Sequence, residues 1–226
     1  MPGRTGAPPR TFADLAQRRA RPTSRTLGAM PRPNAVSLVA LLVIALVAAG
    51  CVGDEVASFD PSSPCVTDGA APGAYPELEA LIPTTFEDEA PETLDSGRNC
   101  TPENLANLAE AGIDEVRYAG GTWSFGGRRA AALVVFTAPG LTAELLATFY
   151  GTSAQTANRT VVTGTSTPTL AGRPGFRIDT ETGDRLQTVL VWPSAVPDRV
   201  NVVISTDLPD AKLLAGVDAL EAAASS

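Results

Sequence analysis

Eighteen consecutive residues, Ala35 to Val52 (AVSLVALLVIALVAAGCV), carry no charge and a single hydroxyl, Ser37. As a helix rising about 1.5 Å per residue, such a run just reaches across a hydrocarbon core of ~30 Å. No other stretch constrains the chain as strongly, because it divides the sequence into parts on two sides of a membrane. Arginines precede the run, and Asp54 and Glu55 follow it. Positive charge is retained on the cytoplasmic side, so everything after the run is expected outside. The same topology follows whether the run is an uncleaved anchor or the apolar part of a cleaved signal peptide.

The run closes with Leu46-Val47-Ala48-Ala49-Gly50-Cys51. Small residues directly before a cysteine resemble the lipobox of bacterial lipoproteins. That resemblance implies diacylglycerol on Cys51, cleavage after Gly50, and often a third, palmitate-like acyl chain on the new amino terminus. Ala48 departs from the pattern, since the family prefers Leu or another large aliphatic residue there. Lipidation, an uncleaved anchor and ordinary cleavage all place the domain on the extracytoplasmic side, and lipid-anchored attachment to the cell membrane is the expectation. Residues 1–29 are basic and Pro-rich, unlike a short signal-peptide head. A start at Met30 instead gives a compact signal, MPRPNAVSLVALLVIALVAAGC, with Arg32 as its charge. Residues 1–29 are thus expected to be untranslated or disordered.

Charge restricts the partners. Residues 51–226 contain ten basic and 24 acidic residues, a net charge of −14. Such a chain does not suit nucleic acid, whose phosphates need a basic face. It equally disfavours adsorption to anionic headgroups through the domain itself, so anchoring falls to lipid on Cys51. The chain contains no histidine. Ser-His-Asp and Cys-His catalysis are therefore excluded, and no ordinary zinc or copper site is expected. No cofactor and no metal are implied, and the chain is not expected to be an enzyme. Of the remaining cysteines, Cys65 and Cys100 form an even pair in an oxidising compartment, which reads as a disulfide. Neither lies in a Cys-x-x-Cys motif.

Residues 51–73 are rich in Gly, Pro, Ser, Asp and Ala and read as a flexible tether, its last part stapled down if the disulfide forms. A single α+β domain is expected over 74–226. PELEALIP predicts a short helix and EDEAPETLDSG an acidic connector. Thr101-Pro102-Glu103 reads as a helix start with Thr101 as N-cap, a stripe at Leu105, Leu108 and Ala109, and Gly112 beyond the end. EVRYAGGTWSF is a strand with a bulge at Gly120-Gly121. Gly126-Gly127 turns a hairpin into RRAAALVVFTA, a central strand. LTAELLATFY is a helix using Leu141, Leu145 and Phe149. TVVTGTST, GFRIDTET, LQTVLVW and RVNVVIST are strands, and a final helix buries Leu213, Leu214, Val217 and Leu220. Short hairpins imply a mainly antiparallel sheet with helices packed on a face. This order, ending in VLVWPSAVPDRVNVVIS and a helix, resembles the PsbP-like α/β sandwich and actinobacterial lipoproteins of the LpqN type. What that implies is a binding or assembly module.

Candidate chemistry is sparse. Glu87-Asp88-Glu89 with Glu92 and Asp95 lacks the spacing of a calcium loop and reads as a solvated acidic loop. Asp179-x-Glu181-x-Gly183-Asp184 reads as a hairpin turn. No glycine pattern cradles phosphate. Trp123, Phe125, Arg128 and Arg129 flank one hairpin, so Trp123, Arg128 and Arg129 are the candidate ligand-binding residues, by stacking and bidentate hydrogen bonding. Arg173 and Arg177 flank Pro174-Gly175, and in so acidic a domain any arginine cluster is a place to look for a ligand. Three functions follow as expectations. The first is a non-catalytic envelope lipoprotein binding a small apolar or anionic ligand or an envelope protein. The second is an accessory or structural lipoprotein without a pocket. The third, least favoured, is a carboxylate-only hydrolase, which needs two acids facing each other in a cleft.

Overall fold

The structure, a computed structural model, describes residues 59–225. The apolar run, Met30 and Cys51 lie outside the described residues. Among those described, no helix is long and apolar enough to cross a membrane.

An eight-stranded sheet organises the domain. Its strands are β1 (Gly69–Ala71), β2 (Thr93–Asn99), β3 (Val116–Ser124), β4 (Ala130–Thr137), β5 (Thr160–Ser166), β8 (Phe176–Thr182), β9 (Arg185–Pro193) and β10 (Arg199–Thr206). The spatial order is β1-β2-β3-β4-β10-β9-β8-β5, and every neighbouring pair is antiparallel. A two-stranded ribbon, β6 (Thr169–Leu170) and β7 (Arg173–Pro174), sits in the β5–β8 connection. The helices are α1 (Pro76–Glu79), α2 (Pro102–Leu105), α3 (Asn107–Glu110), α4 (Ala143–Thr156) and α5 (Asp210–Ala224). After the β1–β4 meander, α4 carries the chain across one face to the far edge. The β8-β9-β10 meander then returns to pair with β4 at the centre. The architecture is α+β with an antiparallel sheet, as expected.

Helices cover both faces of this sheet, not one. On the first face, Tyr118, Val134, Phe136, Val191 and Val202 pack against α2, α3 and α4. On the second, Trp123, Leu133, Leu190, Trp192 and Val203 pack against α1 and α5. The period of two along each strand accounts for this: β4 sends Ala132, Val134 and Phe136 one way and Ala131, Leu133 and Val135 the other. A strand buried on both sides reads as a continuous apolar run, and β4 is such a strand.

Several local expectations need correction. Residues 93–97 of the acidic connector, with Arg98 and Asn99 after them, form β2. No hydrophobic pattern announces that strand, because its buried side chains, Ser96, Arg98 and Asn99, are polar. Ser96 Oγ accepts from Tyr75 N–H at 2.7 Å and donates to Glu79 at 2.8 Å. The buried Arg98 guanidinium donates to the carbonyls of Asp60, Pro61, Ser63 and Pro64 and to Ser63 Oγ. These bonds, a Phe59–Tyr75 edge contact and the Cys65–Cys100 disulfide fix residues 59–73 to the sheet edge, with β1 as its outermost strand.

Gly120 and Gly121 pair in unbroken register with Val134 and Leu133. They are small because neighbours are close: a Cβ on Gly121 would lie 2.7 Å from the Trp123 ring. The bulge falls instead in β5, between Val162 and Gly164. The helix after Thr101 is broken at Ala106 (φ 47°), and the Thr101 hydroxyl bonds Asp68 instead of capping. In α4 the buried stripe is Ala143, Leu146, Ala147, Tyr150 and Ala154, with Leu145 and Phe149 only half-buried. In α5, Leu213, Val217 and Leu220 are buried as expected, but Leu214 is 52% exposed.

Asp95 is the one carboxylate of β2, and its pKa is raised, first by burial and then by the nearby Glu79. A group whose folded pKa is raised stabilises the fold below its ordinary pKa and loses that contribution as pH rises through the folded value. Asp95→Asn is therefore expected to raise Tm at pH 7 and leave it unchanged at pH 3, read by thermal denaturation at both pH values.

Candidate functional site

The β8–β9 connection is a two-residue turn, Gly183-Asp184, with φ +68° at Gly183. That matches a type II′ hairpin and the turn expected there. The tight turn sets register, and register builds a row across the second face. Gly164 pairs with Asp179, Asp179 with Thr188, Thr188 with Ser205, and Ser205 with Ala131. Toward the centre of the sheet the second face is covered by α5. Toward β8 and β5 it opens into a cleft of about 680 Å³. Arg177, Asp179, Thr188 and Ser205 line it from the strands, and Asp207 and Asp210 from the entry to α5. Leu186 (58% exposed), Leu208 and Pro209 supply apolar lining.

The polar groups are arranged as a chain. Arg177 Nε donates to both Asp179 oxygens, at 3.0 and 2.8 Å. Its Nη2 stands 3.0 Å from Asp210 Oδ1. Thr188 Oγ1 donates to Asp179 Oδ1 at 2.6 Å. Burial alone would raise the Asp179 pKa, but the bonds from Arg177 and Thr188 outweigh it and hold the carboxyl below its ordinary range. Asp207 Oδ1 accepts from Leu186 N–H at 3.0 Å, and the Asp207 N–H returns to the Leu186 carbonyl at 2.9 Å, fixing the α5 entry to β9. Ser205, 2% exposed, completes the strand side of the lining.

Chemically the cleft offers one guanidinium, three carboxylates and hydroxyl groups to whatever enters it. An ionised Asp179 donates no proton. A serine nucleophile needs a base within hydrogen-bond reach, and Ser205 has none among the described residues. No group of three or more Cys, Asp or Glu side chains among those residues is placed to hold a metal ion.

The candidate residues Trp123, Arg128 and Arg129 are not brought together. Trp123 is 1% exposed, in the second-face core, and its Nε1 donates to the Glu89 carbonyl at 2.9 Å. Arg128 pairs with Asp184 at 2.7 Å and reaches Asp207 at 3.5 Å, outside the cleft lining. Arg129 folds back on the Phe125 carbonyl at 2.7 Å. Arg173 and Arg177 are likewise separated: Arg173 bonds Glu221 under α5, and only Arg177 enters the cleft. Cys65 and Cys100 form the disulfide, and Cys51 lies outside the described residues. The sequence reading missed Thr188, Ser205, Asp207 and Asp210. One signal was available for Ser205: it follows Asn201 by four residues in the apolar run RVNVVIST, a spacing that puts both on one strand face. No protein-family model matches the chain, and no curated protein matches it.

Proposed function

We propose that the mature chain is an extracytoplasmic lipoprotein of the cell envelope, held at the membrane by lipid on Cys51, whose domain is a non-catalytic binding module. Its ligand sits in the cleft between β8, β9, β10 and the start of α5. The observation that carries this reading is the cleft itself, about 680 Å³ in volume, within the ~300–1,000 Å³ of small-molecule sites, with Arg177, Asp179, Thr188 and Ser205 in its lining. Two facts favour binding over catalysis: the chain has no histidine, and Arg177 and Thr188 keep Asp179 ionised.

The anchor rests on the lipobox-like end of the apolar run and on electrostatics. A segment of net charge −14 gains nothing from anionic headgroups. Two or three acyl chains hold it instead, at about 0.8 kcal/mol per buried CH₂. The Cys65–Cys100 bridge suits an oxidising compartment.

Two measurements test the two halves. Cys51→Ala is expected to abolish acylation and move most of the protein from membrane to soluble fractions. Retention in the membrane would overturn the lipid anchor in favour of an uncleaved span. Native mass spectrometry of the membrane-extracted chain is expected to show a bound small molecule that Ser205→Leu removes. An adduct unaffected by that substitution, or no adduct in either protein, would overturn the cleft as the site.

A further inference from the structure

We infer that the β1 edge of the domain lies against the membrane, with Val66 seated among the lipid headgroups; this rests on the reading of Cys51 as lipidated. Residues 51–226 carry a net charge of −14, so the domain can approach an anionic lipid surface only where its own charge is absent. Residues 61–76, PSSPCVTDGAAPGAYP, hold a single charge, Asp68. That carboxylate is engaged within the fold, by the N–H groups of Cys100 and Thr101 and by Asn104 Nδ2. Asp60 and Glu77 bound the neutral strip at its two ends.

Chain length places this strip beside the anchor. Eight residue steps separate Cys51 from Phe59, a reach of at most about 29 Å when fully extended. From Phe59 onward the chain is fixed. The Arg98 guanidinium stands 5.4 Å from the centre of the Phe59 ring and holds the carbonyls of Asp60, Pro61, Ser63 and Pro64. Cys65 is bridged to Cys100, and the Val66 N–H donates to the Pro64 carbonyl at 3.0 Å. Residues 61–67 are therefore presented rigidly where the tether enters the fold. Val66 is 74% exposed, more than any other large hydrophobic side chain among the described residues. A lone exposed valine is ordinary on a soluble surface. One fixed within a tether's length of a bilayer meets it at high effective concentration, and seating it there removes apolar surface from water. The far end of the sheet provides the contrast. Val161, 62% exposed, lies on β5, seven strand spacings from β1 in the sheet order, roughly 34 Å at about 4.8 Å each.

Tryptophan quenching tests this in vesicles of phosphatidylglycerol and brominated phosphatidylcholine carrying the acylated full chain. Trp123 and Trp192 are buried in the core and supply the same background in every variant. Val66→Trp is expected to add emission that the bromines quench, and Val161→Trp to add emission that they do not. Hydrogen exchange reads the native side chain. Amides in residues 61–67 are expected to exchange more slowly in the vesicle-bound parent than in soluble Cys51→Ala, and Val66→Glu is expected to lose that protection. Near-UV circular dichroism of the variants is expected to match the parent. Equal quenching at the two positions, quenching at neither, or protection unchanged by Val66→Glu, in acylated protein that floats with the vesicles, would overturn the inference and leave the lipid anchor standing. An intact mass showing Cys51 without acyl chains would overturn the anchor and the inference together.

Discussion

Replacing Cys65 and Cys100 together by serine is expected to lower the unfolding free energy by about 3.5–4 kcal/mol in the chain-entropy model. The bridge spans a sequence separation of 35 residues, with Cα atoms 5.7 Å apart, and encloses β1, α1 and β2. At about 2–4 °C per kcal/mol for a domain of this size, Tm should drop on the order of 10 °C. The loss belongs to the unfolded chain. In the folded state, residues 59–73 keep the Arg98 bonds to their carbonyls. They also keep Asp68, whose carboxylate accepts from the N–H groups of Cys100 and Thr101 and from Asn104 Nδ2. Near-UV circular dichroism of the variant should therefore match the parent while its denaturant midpoint falls. A loss below about 1 kcal/mol would show that the unfolded chain is already restricted without the bridge.

Glu221→Ala is expected to cost about 3 kcal/mol. One carboxylate on α5 collects Trp192 Nε1 at 2.9 Å and Asn201 Nδ2 at 3.0 Å on Oε1, and Arg173 Nη1 at 2.9 Å on Oε2. Trp192 and Asn201 are both buried, so deleting the acceptor strands two donors away from water, at roughly 1–3 kcal/mol each. Glu221→Gln keeps an oxygen and should cost less. The two variants also separate charge from hydrogen bonding through pH. Burial raises the Glu221 pKa, but the bonds from Trp192, Arg173 and Asn201 outweigh it and hold it below its ordinary value. A lowered folded pKa gives stability that is present above the ordinary carboxylate pKa of about 4.3 and is lost as pH falls through the folded value. Asp68 is lowered too: burial opposes it, and bonds from Thr101, Cys100 and Asn104 prevail. Parent stability should thus decline below about pH 4, and the gap between the parent and Glu221→Gln should close over the same range. Equal pH slopes for the two proteins would overturn the role of the charge.

Strands and hairpins were legible in the sequence wherever burial is apolar. RRAAALVVFTA, LQTVLVW and RVNVVIST became the central strands β4, β9 and β10, and Gly126 and Gly127 both take positive φ at the turn predicted for them. β2 was illegible because Ser96, Arg98 and Asn99 are buried as polar groups, satisfied in part by partners up to 38 residues away. The stripe of α4 was misread because Tyr150 and the small Ala143, Ala147 and Ala154 face the sheet, and alanine carries little periodic signal. The ligand reading of Trp123 failed for a comparable reason. An aromatic near a turn looks available in one dimension, but alternation along β3 points it into the core, where the Glu89 carbonyl takes its N–H.

The sequence alone determined the amino-terminal address as an expectation, the absence of histidine chemistry, the acidity of the chain and the antiparallel class. Those properties depend on composition and on periods of two, which are local. Tertiary structure decided where function is to be sought. The cleft exists because α5 covers the second face over the centre of the sheet and stops short of β8 and β5. Its lining is assembled by strand register, which sets Asp179, Thr188 and Ser205 side by side from three separate strands. Register is fixed by pairing between distant segments, so no single segment could reveal it.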